Sequence, residues 1–358
     1  MRFEEEFHME IGMSTFVETT ADEQGNVVSH DQRIREIIEE IKLADQVGLD
    51  VYGIGEHHRE DFAASSPEMI LAAAAPLTKQ IRLTSAVTVL SSVDPVRIFQ
   101  NYATLDALSN GRAEIMAGRG SFTESFPLFG YDLKDYHDLF EEHLALLLEI
   151  QKNNKEVHWG GGHRAAINGL GVYPNPVQEK LPITIGTGGN PESTIRAAKL
   201  GLPIVYAIIG GSPAGFGPLA KLYKQTAAEA GHDVSKLPIM SHSHGFVAKT
   251  TEEAADKFYY PTQKVMNVIG RERGWMPYTR ASFDRAMAPD GALFVGDPET
   301  VANKIIHLHK TVGVERFMMH LPLGTMAHED VMCAIKLLGE EVAPIVRAEV
   351  AKLKKEQI

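Results

Sequence analysis

The chain has 358 residues, 44% hydrophobic and 23% charged, which is the usage of a globular protein with a sizeable core. A net charge of -12 without any Lys/Arg cluster repels a phosphate backbone, so nucleic acid is not an expected partner. The opening MRFEEEFHMEIG lacks a basic-then-apolar leader, no apolar run is long enough to span a bilayer, and Cys333 is the only cysteine; a reducing cytoplasm is expected.

MEIGMSTF (9–16) reads as a strand, and IREIIEEIKLADQVG (34–48) carries apolar residues at helical spacing and stops at Gly48. VYGIG (51–55) is the second strand and SPEMILAAAAPL (66–77) its helix, with Pro67 in the first turn. IRLTSAVTVL (81–90) is the third strand, 94–109 a helix capped by Asp94, and RAEIMAG (112–118) the fourth strand. After a helix that ends near Ile150, the Gly- and Pro-rich stretch 155–182 reads as a loop excursion with room for a small hairpin. The rhythm then resumes with a strand at 182–189, a helix at 191–201, a strand at 202–211, a helix at 218–231 and a strand at 238–248. A helix from Glu252 leads to a second irregular excursion at 271–296, then a helix at 297–313, a strand at 314–324 and a final helix from about Glu329. Eight strand–helix units predict one domain over 1–358, a (β/α)8 TIM barrel with insertions after units four and seven. An open doubly wound sheet would carry a glycine fingerprint after the first strand, where none stands.

In such a barrel, chemistry sits at the carboxyl ends of the strands. GEHHRED places Glu56, His57 and His58 at the second of these ends, and alternation sends adjacent side chains to opposite faces, so the two His do not grip one metal. One His then faces the barrel mouth, unless it only satisfies backbone groups at a strand end. GTGGNPEST (186–194) combines backbone glycines, Asn190 as a cap, Pro191 in the first turn and the Ser193 hydroxyl, which suits either a phosphate or an ordinary capped turn. Arg119 in AGRGS (117–121) is either a surface arginine or the cation for that phosphate. His242 and His244 have the same-face spacing of a metal pair and His320 ends the eighth strand, which keeps a metal-dependent hydrolase as a rival. The carboxylates such a site needs at other strand ends are missing, and no metal is expected. Met13, Met116, Met318 and Met319 read as barrel packing.

The segments VYGIGEHHRED, IRLTSAVTVLSSVDPVRIFQNYATLDALSNGRAEIMAGRG, ITIGTGGNPESTIRAAKLGLPIV and FVGDPETVANKI run in order along nearly the whole chain and resemble the bacterial luciferase-like flavin monooxygenases. The resemblance implies a barrel that binds FMN at its strand ends, usually as a homodimer or higher homo-oligomer. Reduced flavin would come from a separate NAD(P)H-dependent reductase or from direct reduction by NAD(P)H, and would act with O2 on a small organic substrate. It implies proton handling by His57 and a flavin site that includes Glu56 and, under the flavin ring, a non-prolyl cis peptide near Ala86-Val87 with Thr88 adjacent. Arg119 would meet the FMN phosphate, with Gly188, Gly189, Asn190 and Ser193 on its other side. True luciferases carry a reactive Cys where Gly118 stands, so light emission is not expected. The alternatives are an F420-dependent dehydrogenase on the same barrel and a flavin-binding protein without turnover. The excursion with Trp275 and Tyr278 is either a lid or a surface loop.

Overall fold

The computed structural model describes residues 8–120 and 122–356. Eight parallel strands form its centre: β1 (Glu10–Thr15), β2 (Val51–Ile54), β3 (Arg82–Ser85), β4 (Ala113–Gly118), β5 (Ile183–Thr187), β6 (Ile204–Ala207), β7 (Ile239–Val247) and β8 (Val314–His320). Each pairs with the next, and β8 pairs with β1, so the sheet closes. This is the (β/α)8 barrel that the alternation of elements predicts. Closure buries both faces of the strands, which is why they read as near-continuous apolar runs; β4 is buried at every position.

Helices wrap the barrel and start where the sequence places capping groups. Asp94 accepts a hydrogen bond of 2.8 Å from the Val96 amide at the head of helix Pro95–Ser109. The insertion after the fourth unit carries a two-stranded hairpin, Val157–Trp159 with Ile167–Leu170.

Two expectations change. The third strand is not continuous over 81–90: it breaks after Ser85, the Ala86-Val87 peptide is cis, and pairing resumes at Thr88–Val89 against β4. The stretch 271–296 is not irregular throughout. Helix Thr251–Arg273 runs into it and is closed by Gly274 at φ +70°, and Arg280–Met287 forms a second helix capped by Thr279. Phe294–Gly296 then adds a short strand beside the end of β7. Arg271 and Arg273 suit the carbonyl end of that first helix, a charge preference that the Gly-Trp-Met-Pro sequence after them obscures.

Inside the barrel, side chains stack in layers. At the amino end of the strands, Arg316 donates to Glu114 at 2.6 and 3.1 Å and to Glu10 at 2.5 Å, and Arg82 adds a further bond to Glu114. Above this plug lie Val51, Ala86, Met116, Val205, Met240 and Met318, with Val87 packed against them. The site occupies the layer above, at the carboxyl ends.

Candidate active site

His57 follows β2 and is buried in an aromatic cage. Phe62 stacks on its ring at 4.4 Å, and Phe16 and Phe122 meet it edge-on at 4.5 and 4.9 Å. Its Nδ1 lies 3.8 Å from Glu124 Oε1, a charge contact rather than a full hydrogen bond. Glu124 is reached from the loop after β4, and its Oε1 also accepts from the His58 amide at 3.3 Å. Burial works against ionisation of Glu124, but the facing His57 and the amides of Glu124 and His58 outweigh it and hold the carboxyl at about 2. An ionised carboxylate therefore faces the imidazole at neutral pH.

The two adjacent histidines part as alternation requires. His58 Nε2 pairs with Glu56 Oε1 at 2.8 Å, while Glu56 Oε2 accepts from the Val89 amide at 3.0 Å. Both oxygens of Glu56 are thus engaged by protein groups, and they tie the loop after β2 to the chain beyond the cis bond.

Val87 projects from that bond over two glycines. A Cβ at Gly118 would lie 2.6 Å from Val87, and one at Gly186 would lie 2.7 Å from it, so both positions exclude a side chain. Ala86 faces Gly53 in the same way, at 2.8 Å. The hydroxyls of Ser85 and Thr88 lie close enough to Tyr102 on the outer helix to oppose the push of burial on its phenol.

Across the mouth, Arg119 and Ser193 come together. Arg119 Nη2 donates to Ser193 Oγ at 3.2 Å, and Nη1 donates to His137 Nδ1 at 2.8 Å. Asn190 Oδ1 accepts from the Glu192 and Ser193 amides at 2.7 and 3.2 Å and so caps helix Pro191–Leu200. Gly189 has φ +98°, the left-handed region that favours glycine, and space around Gly188 is open. Arg196 Nη1 also reaches Ser193 Oγ, at 3.5 Å, while pairing with Glu141. Two guanidinium groups, a hydroxyl and a helix amino end are thus gathered at one rim, a donor set that suits an anion.

On the other side of Phe16, Ser14 Oγ lies 3.4 Å from His242 Nδ1 and 3.3 Å from His320 Nδ1. Burial first, and neighbouring positive charge second, hold His242, His244 and His320 down to about 3, so all three are neutral at pH 7. Among the described residues no three His, Cys, Asp or Glu side chains are arranged around a metal position, and no helix is long and apolar enough to cross a membrane.

Sequence reasoning does not find Glu124, Arg196 or the cage of Phe16, Phe62 and Phe122. Arg196 carries a signal, since it stands three residues after Ser193 on one helix face. Glu124 and Phe122 carry none, because a loop fixes no side-chain direction by period. Ser121, the last residue of AGRGS, lies outside the described residues.

The profile of the luciferase-like monooxygenases matches residues 9–315. The uncharacterized protein y4wF of Sinorhizobium fredii is 32% identical over 181 residues, and the match spans 50% of this chain and about half, 52%, of that relative. The N-acetyl-S-alkylcysteine monooxygenase of Bacillus subtilis is 24% identical over 84% of this chain and 90% of its own. Among solved structures, the monooxygenase RslO1 of Streptomyces bottropensis superposes with a TM-score of 0.82 at 22% identity, covering 94% of this chain and 99% of the other. The oxygenating constituent of 3,6-diketocamphane monooxygenase from Pseudomonas putida, solved with FMN, gives 0.74 at 21% identity over 94% and 98%. The F420-dependent tetrahydromethanopterin reductase of Methanopyrus kandleri gives 0.71 at 20% over 94% and 99%.

Proposed function

The chain belongs to the luciferase-like monooxygenase family, and on that premise we propose that it is an FMN-dependent monooxygenase that uses reduced flavin and O2 to oxygenate a small organic substrate. The observation that carries this reading is the donor set of Arg119, Ser193 and Arg196 at one rim of the mouth, with His57 at another. The donor set fits the phosphate of FMN: two guanidinium groups match phosphate oxygens in pairs, and Gly188 leaves the backbone open to close approach. Asn190 fixes the helix end, and Ala86 and Val87 form the apolar floor against which a flat ring can lie.

Bound reduced FMN supplies the electrons that activate O2. The chain's own contribution is position, exclusion of water and protons. Arg119 and Ser193 would hold the phosphate and so orient the cofactor. Phe16, Phe62 and Phe122 keep water from the His57 ring. The Glu124 carboxylate lies 3.8 Å from Nδ1 and favours a hydrogen on that nitrogen, which would leave Nε2 as the atom that takes up or returns a proton. Glu56 and Thr88 support the frame beneath these groups. A homodimer or larger homo-oligomer in the cytoplasm, supplied with reduced flavin by an NAD(P)H-dependent reductase or by NAD(P)H directly, completes the proposal.

The test is to supply reduced FMN with isotopically labelled O2, and separately reduced F420 without oxygen, to the protein with a panel of small organic substrates. Substrate-dependent appearance of the oxygen label in a product supports the reading. Hydride transfer from reduced F420 with no oxygen incorporation overturns it in favour of a dehydrogenase.

A further inference from the structure

Val17 is a β-branched residue at φ +58°, a conformation that such side chains avoid and that is held here by surrounding bonds. Its amide donates to Thr15 Oγ1 at 3.0 Å, its carbonyl accepts from the Ala63 amide at 2.9 Å, and Thr19 N donates to Asp61 O at 2.9 Å. The kink turns Glu18 inward, where it is 3% exposed. Glu18 Oε1 lies 3.4 Å from His320 Nε2, and Oε2 is buried with no hydrogen-bond partner among the described residues. From His320 the line continues through Ser14 to His242. Behind Glu18 is a cavity of about 10 Å³, room for one water at most, whose walls include Arg33, Glu36 and His328. A strained backbone that buries a carboxyl against a neutral histidine has no packing purpose that a Leu or Gln would not serve better.

We propose that Glu18 holds an exchangeable proton against His320, and that its loss reverses the hydrogen bonds of the His320–Ser14–His242 line in the barrel mouth. When Glu18 is protonated, its O–H donates to His320 Nε2, His320 Nδ1–H donates to Ser14 Oγ, and the Ser14 hydroxyl donates to His242 Nδ1. When it is ionised, His320 Nε2–H donates to the carboxylate, Ser14 donates to His320 Nδ1, and His242 Nδ1–H donates to Ser14. His320, Ser14 and His242 each keep one hydrogen, His242 exchanging its Nε2–H for Nδ1–H, while Glu18 loses its own, so the line as a whole gives up one proton, released at His242 Nε2. That proton passes to solvent from His242, which is 9% exposed and whose Nε2 otherwise meets only Met318 Sδ, at 3.2 Å.

The groups facing Glu18 are Arg33, Glu36 and Glu40 from helix His30–Gln46, His57 from the loop after β2, His320 from β8 and His328 from the last helical segment. Burial raises the carboxyl to about 7 against the pull of backbone amides, Arg33 and His57. Arg33 is itself paired with Glu40 at 2.6 Å, which weakens its hold on Glu18. Phe16 stands between His57 and His320, 4.5 and 4.3 Å from their rings, and keeps the two proton sites apart. Glu18 is a positioning residue; it sets which ring nitrogen carries the hydrogen in His320 and His242. What the proton serves rests on the proposed monooxygenase reading, but the holding of it does not.

The experiment is infrared difference spectroscopy on the flavin-free protein across neutral pH. The protonated-carboxyl band should fade with a midpoint of about 7, vanish in Glu18→Gln and persist in Glu124→Gln. Glu68 is also pushed up by burial, so the assignment lies in the loss of the band in Glu18→Gln. Carbon-labelled glutamate in the unsubstituted protein, followed by NMR, reads the same titration without any variant, and His320→Gln should shift its midpoint. Survival of the band in Glu18→Gln, or no glutamate titrating near neutrality, overturns the proposal. Because no flavin is present, a positive result beside a failure to bind FMN would leave the proton site standing and remove only the cofactor reading.

Discussion

Three side chains divide the work at the mouth by their environments. Glu124 is held ionised beside His57, Glu18 is held protonated up to about 7, and Arg119 lends a permanent charge to the donor set. His57→Gln should lower turnover by about 10²–10⁴-fold while leaving FMN affinity unchanged, checked by steady-state rates and a flavin titration on the same preparation. Equal loss of both would make His57 a binding residue instead. For Glu18 the linkage has a definite sign. Its folded pKa lies above the unfolded one, so the native state holds the extra proton and stability is lost as pH rises from 4.5 to about 7. Relative to wild type, Glu18→Gln should therefore gain stability across that window by about 1.4 kcal/mol per pH unit at most, and no further above it. Urea unfolding of both proteins at several pH values reads this directly.

Strand β3 and its neighbours show how an element carries a site. Val87 enters the barrel because Gly118 and Gly186 leave room for it, so Gly118→Cys, which would restore the luciferase residue, forces a side chain into occupied space. Such overpacking costs about 1–3 kcal/mol, and the denaturant midpoint should fall accordingly. An unchanged midpoint would mean that Val87 moves aside at no cost. This element also marks the limit of sequence reading. Apolar continuity over 81–90 locates a strand, but a single run of Ser, Ala, Val and Thr does not disclose where pairing breaks. The insertion after β7 was similarly hidden, since Gly274, Pro277 and Gly291 punctuate a segment whose helix Arg280–Met287 is short. Its first helix reaches the mouth through a bond of 3.1 Å from Arg59 to Glu272, which places the insertion beside the loop that bears His57.

Across the whole molecule the barrel is sealed at one end and open to chemistry at the other. The seal is ionic: Glu114 accepts from Arg316 and Arg82, and these contacts overcome burial to hold its carboxyl at about 2. Its folded pKa lies below the unfolded one, so this stability is present above 4.5 and is lost as pH falls toward 2. Glu114→Ala leaves Arg316 buried with only Glu10, and should cost about 3–5 kcal/mol in urea unfolding at neutral pH. Barrel architecture was legible because strand–helix alternation is a period written along the whole chain, and the Asn190-capped turn was legible because Asn190-Pro191 and the glycines before it have local meanings. The ionic plug and the Glu18 pocket were not, since Glu10, Arg82, Glu114 and Arg316 meet only after closure and Glu18 is aimed by a kink at Val17. The central claim is that this mouth binds FMN by its phosphate. It is tested most directly by measuring the affinities of the wild type, Arg119→Ala and Arg196→Ala for FMN and for riboflavin, which lacks the phosphate. The account predicts a clear preference for FMN in the wild type, reduced by about 1.5–3 kcal/mol in Arg119→Ala and by less in Arg196→Ala, with riboflavin affinity unmoved. Equal affinity of the wild type for the two flavins, or an FMN preference that survives both substitutions, would contradict it.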